Sequence, residues 1–259
     1  MLTVSSHSRP VSAKACAGVV LAVAALALGG CAGSNRLPSA TYERAVFDHG
    51  RGHDREAVAT IEQFLRRSPG DSLAASAQRL KALALMDLKE YPVAAVELQI
   101  LRQEYPTSEY VGESWFLEGV ALLRQVGRME RDIAPALEAR GRFQRFLADW
   151  PDAPQAAEAR AYLVRISDLE LEKKLGEAEV YVQLGQPAAA GVVLDTVLAQ
   201  EKEGRLRPRV LLRRAEVALK ANRPDDAKAA WQRLVDEYPD SPEAAAARQA
   251  LARLQREGS

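Results

Sequence analysis

The sequence is poor in the residues from which active sites are usually built. Its 259 residues include three histidines, two cysteines and three methionines, and only 6% are aromatic. No Ser/His/Asp set, Gly-rich phosphate loop or paired-carboxylate motif stands out, so a catalyst would have to be assembled from scattered side chains. An enzyme is not expected, nor a metal or other cofactor in the body of the protein. Charge of one sign is also missing: 35 basic residues balance 35 acidic ones. No global field therefore gathers nucleic acid or anionic lipid. β-Branched residues are sparse beside Ala, Leu, Glu, Arg and Gln, a composition that favours helix because these side chains lose little freedom there.

Acidic residues are absent from the N-terminus, where none precedes Glu43. Arg9 and Lys14 lead into an uninterrupted apolar run over residues 15–28. Those fourteen residues are too few to cross a hydrocarbon core of ~30 Å, which takes about 20 in a helix. A basic start, a short apolar stretch and small residues read as a secretory signal. The run closes on Leu28-Gly29-Gly30-Cys31, which resembles the lipobox of bacterial lipoproteins. That resemblance implies an S-diacylglycerol and an N-acyl group on Cys31, with cleavage just before it. Cys16 would be discarded with the signal, and acylation accounts for the one cysteine that remains. Three acyl chains, at ~0.8 kcal/mol per buried methylene, anchor far more firmly than a single myristoyl chain. Ala32 follows where an Asp would favour inner-membrane retention, so the resemblance implies the outer membrane. The expected divisions are 1–30 as signal peptide, 31–40 as a lipidated, flexible tether and 41–259 as a repeat domain.

Four prolines sit in matching contexts: Ser68-Pro69, Tyr105-Pro106, Trp150-Pro151 and Tyr238-Pro239. Twelve residues before them stand Ala57, Ala94, Ala139 and Ala227. Eight before stand Ile61, Leu98, Phe143 and Trp231, and five before stand Phe64, Leu101, Phe146 and Leu234. Small, large and large apolar residues at intervals of four and three make one stripe on a helix. Proline then stops that helix, and the Asp, Ser or Thr that follows can cap the next. Intra-repeat turns fall at Gly50-Arg51-Gly52-His53, Lys89-Glu90-Tyr91-Pro92, Leu184-Gly185-Gln186-Pro187 and Ala221-Asn222-Arg223-Pro224. This resembles the tetratricopeptide pattern, with Ala45 and Ala82 at its small position in the first helix of a pair. A weaker copy lies at Ala190, Leu194 and Val197, with Lys202 where its proline would fall. The expected fold is all-α, a tetratricopeptide-repeat superhelical solenoid of about five helix pairs with one overlong helix.

Two spacings depart from the plain repeat. Pro106 to Ala139 is eight residues longer than Pro69 to Ala94, which predicts a longer turn at 125–134. Pro151 to Ala190 is fourteen longer, close to four helical turns, so a helix can lengthen without rotating its buried face. One helix is predicted over 155–184, with its stripe through Ala157, Ala161, Val164, Leu171, Leu175, Ala178 and Tyr181.

A signal with lipobox, five repeats and an overlong helix opening the fourth together resemble the BamD family, lipoproteins of the outer-membrane β-barrel assembly machinery. The likeness runs from Tyr42 to the C-terminus and is best at Phe143-Gln144-Arg145-Phe146-Leu147-Ala148-Asp149-Trp150-Pro151. It implies a non-catalytic scaffold on the periplasmic face of the outer membrane. Its partners would be the barrel-forming subunit, other assembly lipoproteins and unfolded outer-membrane proteins. The other reading of the same features is a secretin or pilus pilot lipoprotein, or a cell-envelope coordinator.

Stacked repeats present the first helix of each pair to a ligand. The repeat register puts Tyr42, Arg79, Leu83 and Met86 on that surface, and Trp115 and Phe116 on the first helix of repeat three. These six are the candidate peptide- and partner-binding residues. Arg205, Arg207, Arg209, Arg213 and Arg214 form a basic cluster suited to an acidic patch on a partner. His49 and His53 beside Asp48 and Asp54 fall short of a closed metal site, and metal binding is not expected.

Overall fold

The computed structural model describes residues 37–127 and 132–257. The signal segment and Cys31 lie outside them. Contacts divide the chain into two compact units, 1–69 and 70–259, so the expected repeat domain is parted at Ser68-Pro69-Gly70, between its first and second repeats. In the first unit, α1 (Tyr42–Gly50) and α2 (Asp54–Arg67) form a helical hairpin. The second holds α3 (Ala74–Asp87), α4 (Tyr91–Glu104), α5 (Val111–Arg124), α6 (Ala134–Asp149), α7 (Ala156–Gln183), α8 (Pro187–Gln200), α9 (Arg207–Lys220), α10 (Pro224–Glu237) and α11 (Pro242–Glu257). Within this second unit each helix packs on its sequence neighbours, and α9 also touches α7 and α11. That is the pattern of stacked antiparallel pairs, with α11 over the end of the last. The hairpin of the first unit is one further pair.

The alanine stripes account for the pairing. Ala57, Ala94, Ala139, Ala190 and Ala227 are all fully buried, as are Ala45 and Ala82 on the helices opposite. Of the large residues in the stripes, only Phe64 stays half-exposed. At each predicted stop the residue before proline leaves the helix in the same way, with φ between −128 and −140° and ψ near 60°. Its N–H still reaches the carbonyl four residues back, as from Trp150 to Phe146 at 2.8 Å. The expected side-chain caps are rarer. Ser241 Oγ accepts from Ala244 N at 3.1 Å and caps α11, but Asp71 and Ser108 bond to Leu73 N and Tyr110 N in the linking turns. Intra-repeat turns each carry one left-handed residue: Gly52, Lys89, Gly185 and Asn222, with φ between 57 and 73°. Gly and Asn take that conformation readily; Lys89 is the strained member.

The long helix occurs where spacing placed it; α5 ends at Arg124 and α6 begins at Ala134, and residues 128–131 of the expected longer turn lie outside the described ones. At 28 residues, α7 is about 42 Å long. Its buried face differs from the expected one in its first half, where Ala157 and Ala161 are exposed and Ala156, Ala159 and Ile166 are buried. The reason is a change of neighbour. Ala159 and Ile166 belong to a core shared with Phe116, Phe143 and Phe146. Leu171 and Ala178 belong to another, shared with Leu194, Val210, Trp231 and Leu234. The four added turns let one helix join two cores. Among the described residues no helix is long and apolar enough to cross a membrane.

Candidate functional site

The first helices of the pairs carry most of the candidate residues, and α5 is the most heavily used. Glu118 on α5 is fully buried. Gln99 of α4 donates to its carboxylate at 2.7 Å and Arg142 of α6 at 2.8 Å. Arg102 of α4 forms a third charge-assisted bond to it and also donates to Ser114 Oγ at 3.2 Å. Burial draws the Arg102 guanidinium below its ordinary pKa, against the opposing pull of Glu118. The same guanidinium lies 3.9 Å from the centre of the Trp115 ring, with Arg142 at 5.9 Å. Two cations and one anion thus bind three helices around a tryptophan. A buried charge is tolerable only when its partners are complete, which makes this cluster a structural joint.

That geometry reassigns several residues expected to face a peptide. Phe116 is 6% exposed and packs on Phe143, Phe146 and Tyr162, with ring centres 5.6–6.2 Å away. It is a core aromatic and offers no surface to a ligand. Gly119, one turn on, explains the close fit, since a Cβ there would come within 2.7 Å of the Phe143 ring. Trp115 and Met86 pack against the same core while half-exposed. Arg79 is held by both oxygens of Glu113, one at 2.7 Å, and lies 5.2 Å from the Tyr110 ring centre. It ties α3 to α5, the first helices of adjacent pairs. Leu83 is half-buried on α3, and Tyr42 is half-buried on α1 in the other unit. The structure therefore gathers Arg79, Met86, Trp115 and Phe116 about α3 and α5, mainly as packing and pairing groups.

The basic cluster also separates. Arg207 is 4% exposed: its guanidinium donates to the carbonyls of Leu198, at 2.9 Å, and Glu201, and to Tyr238 Oη at 2.7 Å. It caps the end of α8 in the boundary that lacks a proline, satisfying carbonyls the helix leaves open. Glu201 stands where the other boundaries have Ser, Tyr or Trp, and its buried carboxylate takes Arg140 of α6 at 2.9 and 3.1 Å. Arg140 is also 2.6 Å from Glu170. Burial and the Glu201 carboxylate hold Glu170 above the usual carboxyl range. Burial pushes Glu201 up too, but bonds from Ser167, Glu170 and Arg140 outweigh it and bring Glu201 below that range. Arg213 pairs with Glu179 and Glu216, and Arg214 with Asp195. Only Arg205 and Arg209 of the five are exposed. In the α1–α2 hairpin, His49 Nδ1 lies 2.7 Å from Asp54 and Arg44 pairs with Asp48 at 2.8 Å.

Paired helices with buried alanines at the crossing and proline-stopped second helices define a tetratricopeptide-repeat protein, a class that mediates protein–protein interactions. A tetratricopeptide-repeat sequence model matches residues 181–251. The sequence model of the YfiO family, described as outer membrane lipoprotein, matches residues 35–203, more than half of the chain. The chain belongs to that family. No curated protein matches it. Similar solved structures include a thermophilic tetratricopeptide protein of Thermus thermophilus, with 19% identity over 82% of this chain and 95% of that one (TM-score 0.35). The TPR2AB domain of yeast Sti1 in complex with pHSP90 matches with 15% identity over 83% of each chain (TM-score 0.45). The type IV pilus biogenesis factor PilW matches with 19% identity over 79% of this chain and 95% of that one (TM-score 0.38).

Proposed function

We propose that this protein is a non-catalytic, lipid-anchored scaffold of the outer-membrane β-barrel assembly machinery, working on the periplasmic face. Membership of the YfiO family over residues 35–203 carries the reading. Two features support it: the Leu28-Gly29-Gly30-Cys31 segment, and the 28-residue α7 inside the matched region. In this reading Cys31 bears an S-diacylglycerol and an N-acyl chain, and Ala32 routes the protein to the outer membrane. The C-terminal repeats hold the barrel-forming subunit, the N-terminal repeats receive unfolded outer-membrane proteins, and other assembly lipoproteins are further partners.

The deciding experiment is affinity purification of the tagged, full-length protein from detergent-solubilised outer membranes, followed by mass spectrometry. Recovery of a large β-barrel protein with periplasmic repeats is the expected result. Recovery of a secretin or pilus component in its place overturns the assignment to barrel assembly. Labelling with palmitate, lost in Cys31→Ser, tests the anchor separately.

A further inference from the structure

The boundary between repeats four and five, residues 201–206, has Lys202 where the others have proline, and side chains of other helices hold it in place. It lies on α7 where that helix passes between cores, since Ile166 packs with Phe143 and Phe146 and Leu171 with Leu194 and Trp231. Gly204 is set so close to Leu171 that a Cβ would collide with it, and Asp168 of α7 accepts from Leu206 N at 3.1 Å. The third attachment is Glu201, 5% exposed, whose carboxylate accepts from both terminal nitrogens of Arg140 on α6. Repeat three is thereby tied to the end of repeat four.

Glu170 of α7 upsets the balance of that attachment. Its Oε2 is buried 2.6 Å from Arg140 Nη2, the nitrogen that also serves Glu201 Oε2, but out of line for a hydrogen bond. One cation thus faces two carboxylates. Among the described residues the neighbouring charges are engaged elsewhere or exposed. On α9, Arg207 donates to the Leu198 and Glu201 carbonyls and lies 3.5 Å from Glu237, while Arg213 sits between Glu179 and Glu216. The one charged residue of α8, Asp195, pairs with Arg214. On α6 Arg142 binds Glu118, and on α7 Lys174 pairs with Glu177. Glu138 of α6, Lys173 of α7, and Lys202, Glu203 and Arg205 of the boundary are exposed. Two carboxylates cannot both ionise beside one guanidinium without leaving a buried net charge, and a proton held between them restores neutrality. Burial, and then the bond to Glu201, hold Glu170 above the usual carboxyl range. Burial pushes Glu201 up as well, but the bonds it accepts bring it below that range.

We infer that Arg140, Glu170 and Glu201 form a proton-controlled latch on the boundary between repeats four and five, closed while Glu170 carries a proton and released when that proton leaves. In the closed state the Glu170 O–H donates to the Glu201 carboxylate, which keeps both nitrogens of Arg140. Loss of the proton to water adds a second anion, which competes for Arg140 Nη2 and repels Glu201. Glu170 and Arg140 are each fixed within a helix, whereas Glu201 follows the last residue of α8, so the contact that yields is the one holding residues 201–206. The sign follows from linkage: the latch is closed at low pH and opens as pH rises through the folded value of Glu170, while Glu201 stays ionised. The inference is independent of the assignment to barrel assembly, because it is read on purified protein alone.

The test is hydrogen–deuterium exchange of the purified full-length protein in detergent, read by mass spectrometry in steps from about pH 5 to about pH 8.5. Peptides covering residues 198–207 contain the Glu201 N–H bonded to Val197 O at 2.8 Å and the Leu206 N–H bonded to Asp168. Glu170→Gln leaves Arg140 a single anion at every pH, so its latch stays closed. Dividing the parent's rate by the variant's at each pH cancels the intrinsic pH dependence of exchange. That ratio is expected to rise by at least about tenfold across the range in these peptides, because like charges about 4 Å apart repel by more than such a shift requires. It is expected to stay flat in peptides of α3, α4 and α5. Glu170→Leu removes the polar group altogether and is expected to give the same profile; it decides should the glutamine variant not fold, and the parent's own rates, corrected for intrinsic exchange, must show the same rise. A ratio that does not change with pH, that falls as pH rises, or that changes equally in every peptide overturns the inference.

Discussion

Replacing Glu118 by leucine removes the buried anion at the α4–α5–α6 joint. Glu118 is completely covered, and the side chains of Arg102 and Arg142 that bind it are 12% and 31% exposed. The substitution leaves Arg102 beside Trp115 with no carboxylate and strands the side-chain amide of Gln99. Breaking a buried pair by removing one partner costs about 3–5 kcal/mol. Arg142 can turn to water, so the lower end, about 3 kcal/mol, is expected. With a urea m-value of roughly 2–3 kcal/mol/M, the midpoint moves down by about 1 to 1.5 M, followed by circular dichroism at the helical band. The double variant Glu118→Leu/Arg102→Leu removes both members of one pair. It is expected to be less destabilised than the sum of the single variants by at least about 1 kcal/mol, as groups in contact are not additive. A loss below about 1 kcal/mol for Glu118→Leu, or strict additivity in the cycle, would refute the view that this cluster is a joint.

Other outcomes follow from single contacts. Gly119→Ala places a methyl group about 2.7 Å from the Phe143 ring and should destabilise by about 1–3 kcal/mol, although alanine is the better helix former; a higher melting temperature would contradict it. Lys89 has φ 62° in its turn, and Lys89→Gly should stabilise by about 0.5–1 kcal/mol, read as a raised thermal midpoint. Glu170 has a folded pKa above its unfolded value, so the stability it contributes is complete below about pH 4.3 and is lost as pH rises through the folded value. Glu201 is depressed and works in the opposite sense, its contribution being lost as pH falls through its folded value. Glu170→Gln removes the first effect, so its stability relative to the parent should rise as pH increases above about 4.3; denaturation midpoints that stay parallel from about pH 4 to about pH 8 would contradict this.

How much of this was legible in the sequence depends on the helix. The second helices, α2, α4, α6, α8 and α10, announce themselves because each buries one stripe and ends at a boundary, and their alanines and large apolar residues fall where spacing puts them. The ends of α7 were legible from the fourteen extra residues between Pro151 and Ala190, within one residue at each side, although the buried face of its first half was not. The first helices were harder. On α5, buried residues include Ser114, Phe116, Glu118, Val120 and Leu122 as well as Gly119 and Leu123, so both faces are covered. A helix enclosed on both sides has no single apolar face for periodicity to report, so the sequence alone places Trp115 and Phe116 on the surface. In the sequence Arg207 is one of five arginines in a basic cluster suited to a partner's acidic patch, because spacing gives no sign that a helix end lacking proline will take a guanidinium as its cap. Glu118 and Glu201 carried no signal at all; a lone acid in a helix is ordinarily on the surface, and only the convergence of Arg102, Arg142 and Arg140 from other helices makes them interior.

Depletion in the native cell tests the proposed role in outer-membrane protein assembly most directly. With the protein under a repressible promoter, the folded barrel proteins of purified outer membranes are measured by quantitative mass spectrometry and resistance to unfolding. A fall across the barrel proteins as a class, before any general growth arrest, is predicted. Unchanged barrel proteins with loss confined to a secretin or to pili would contradict it.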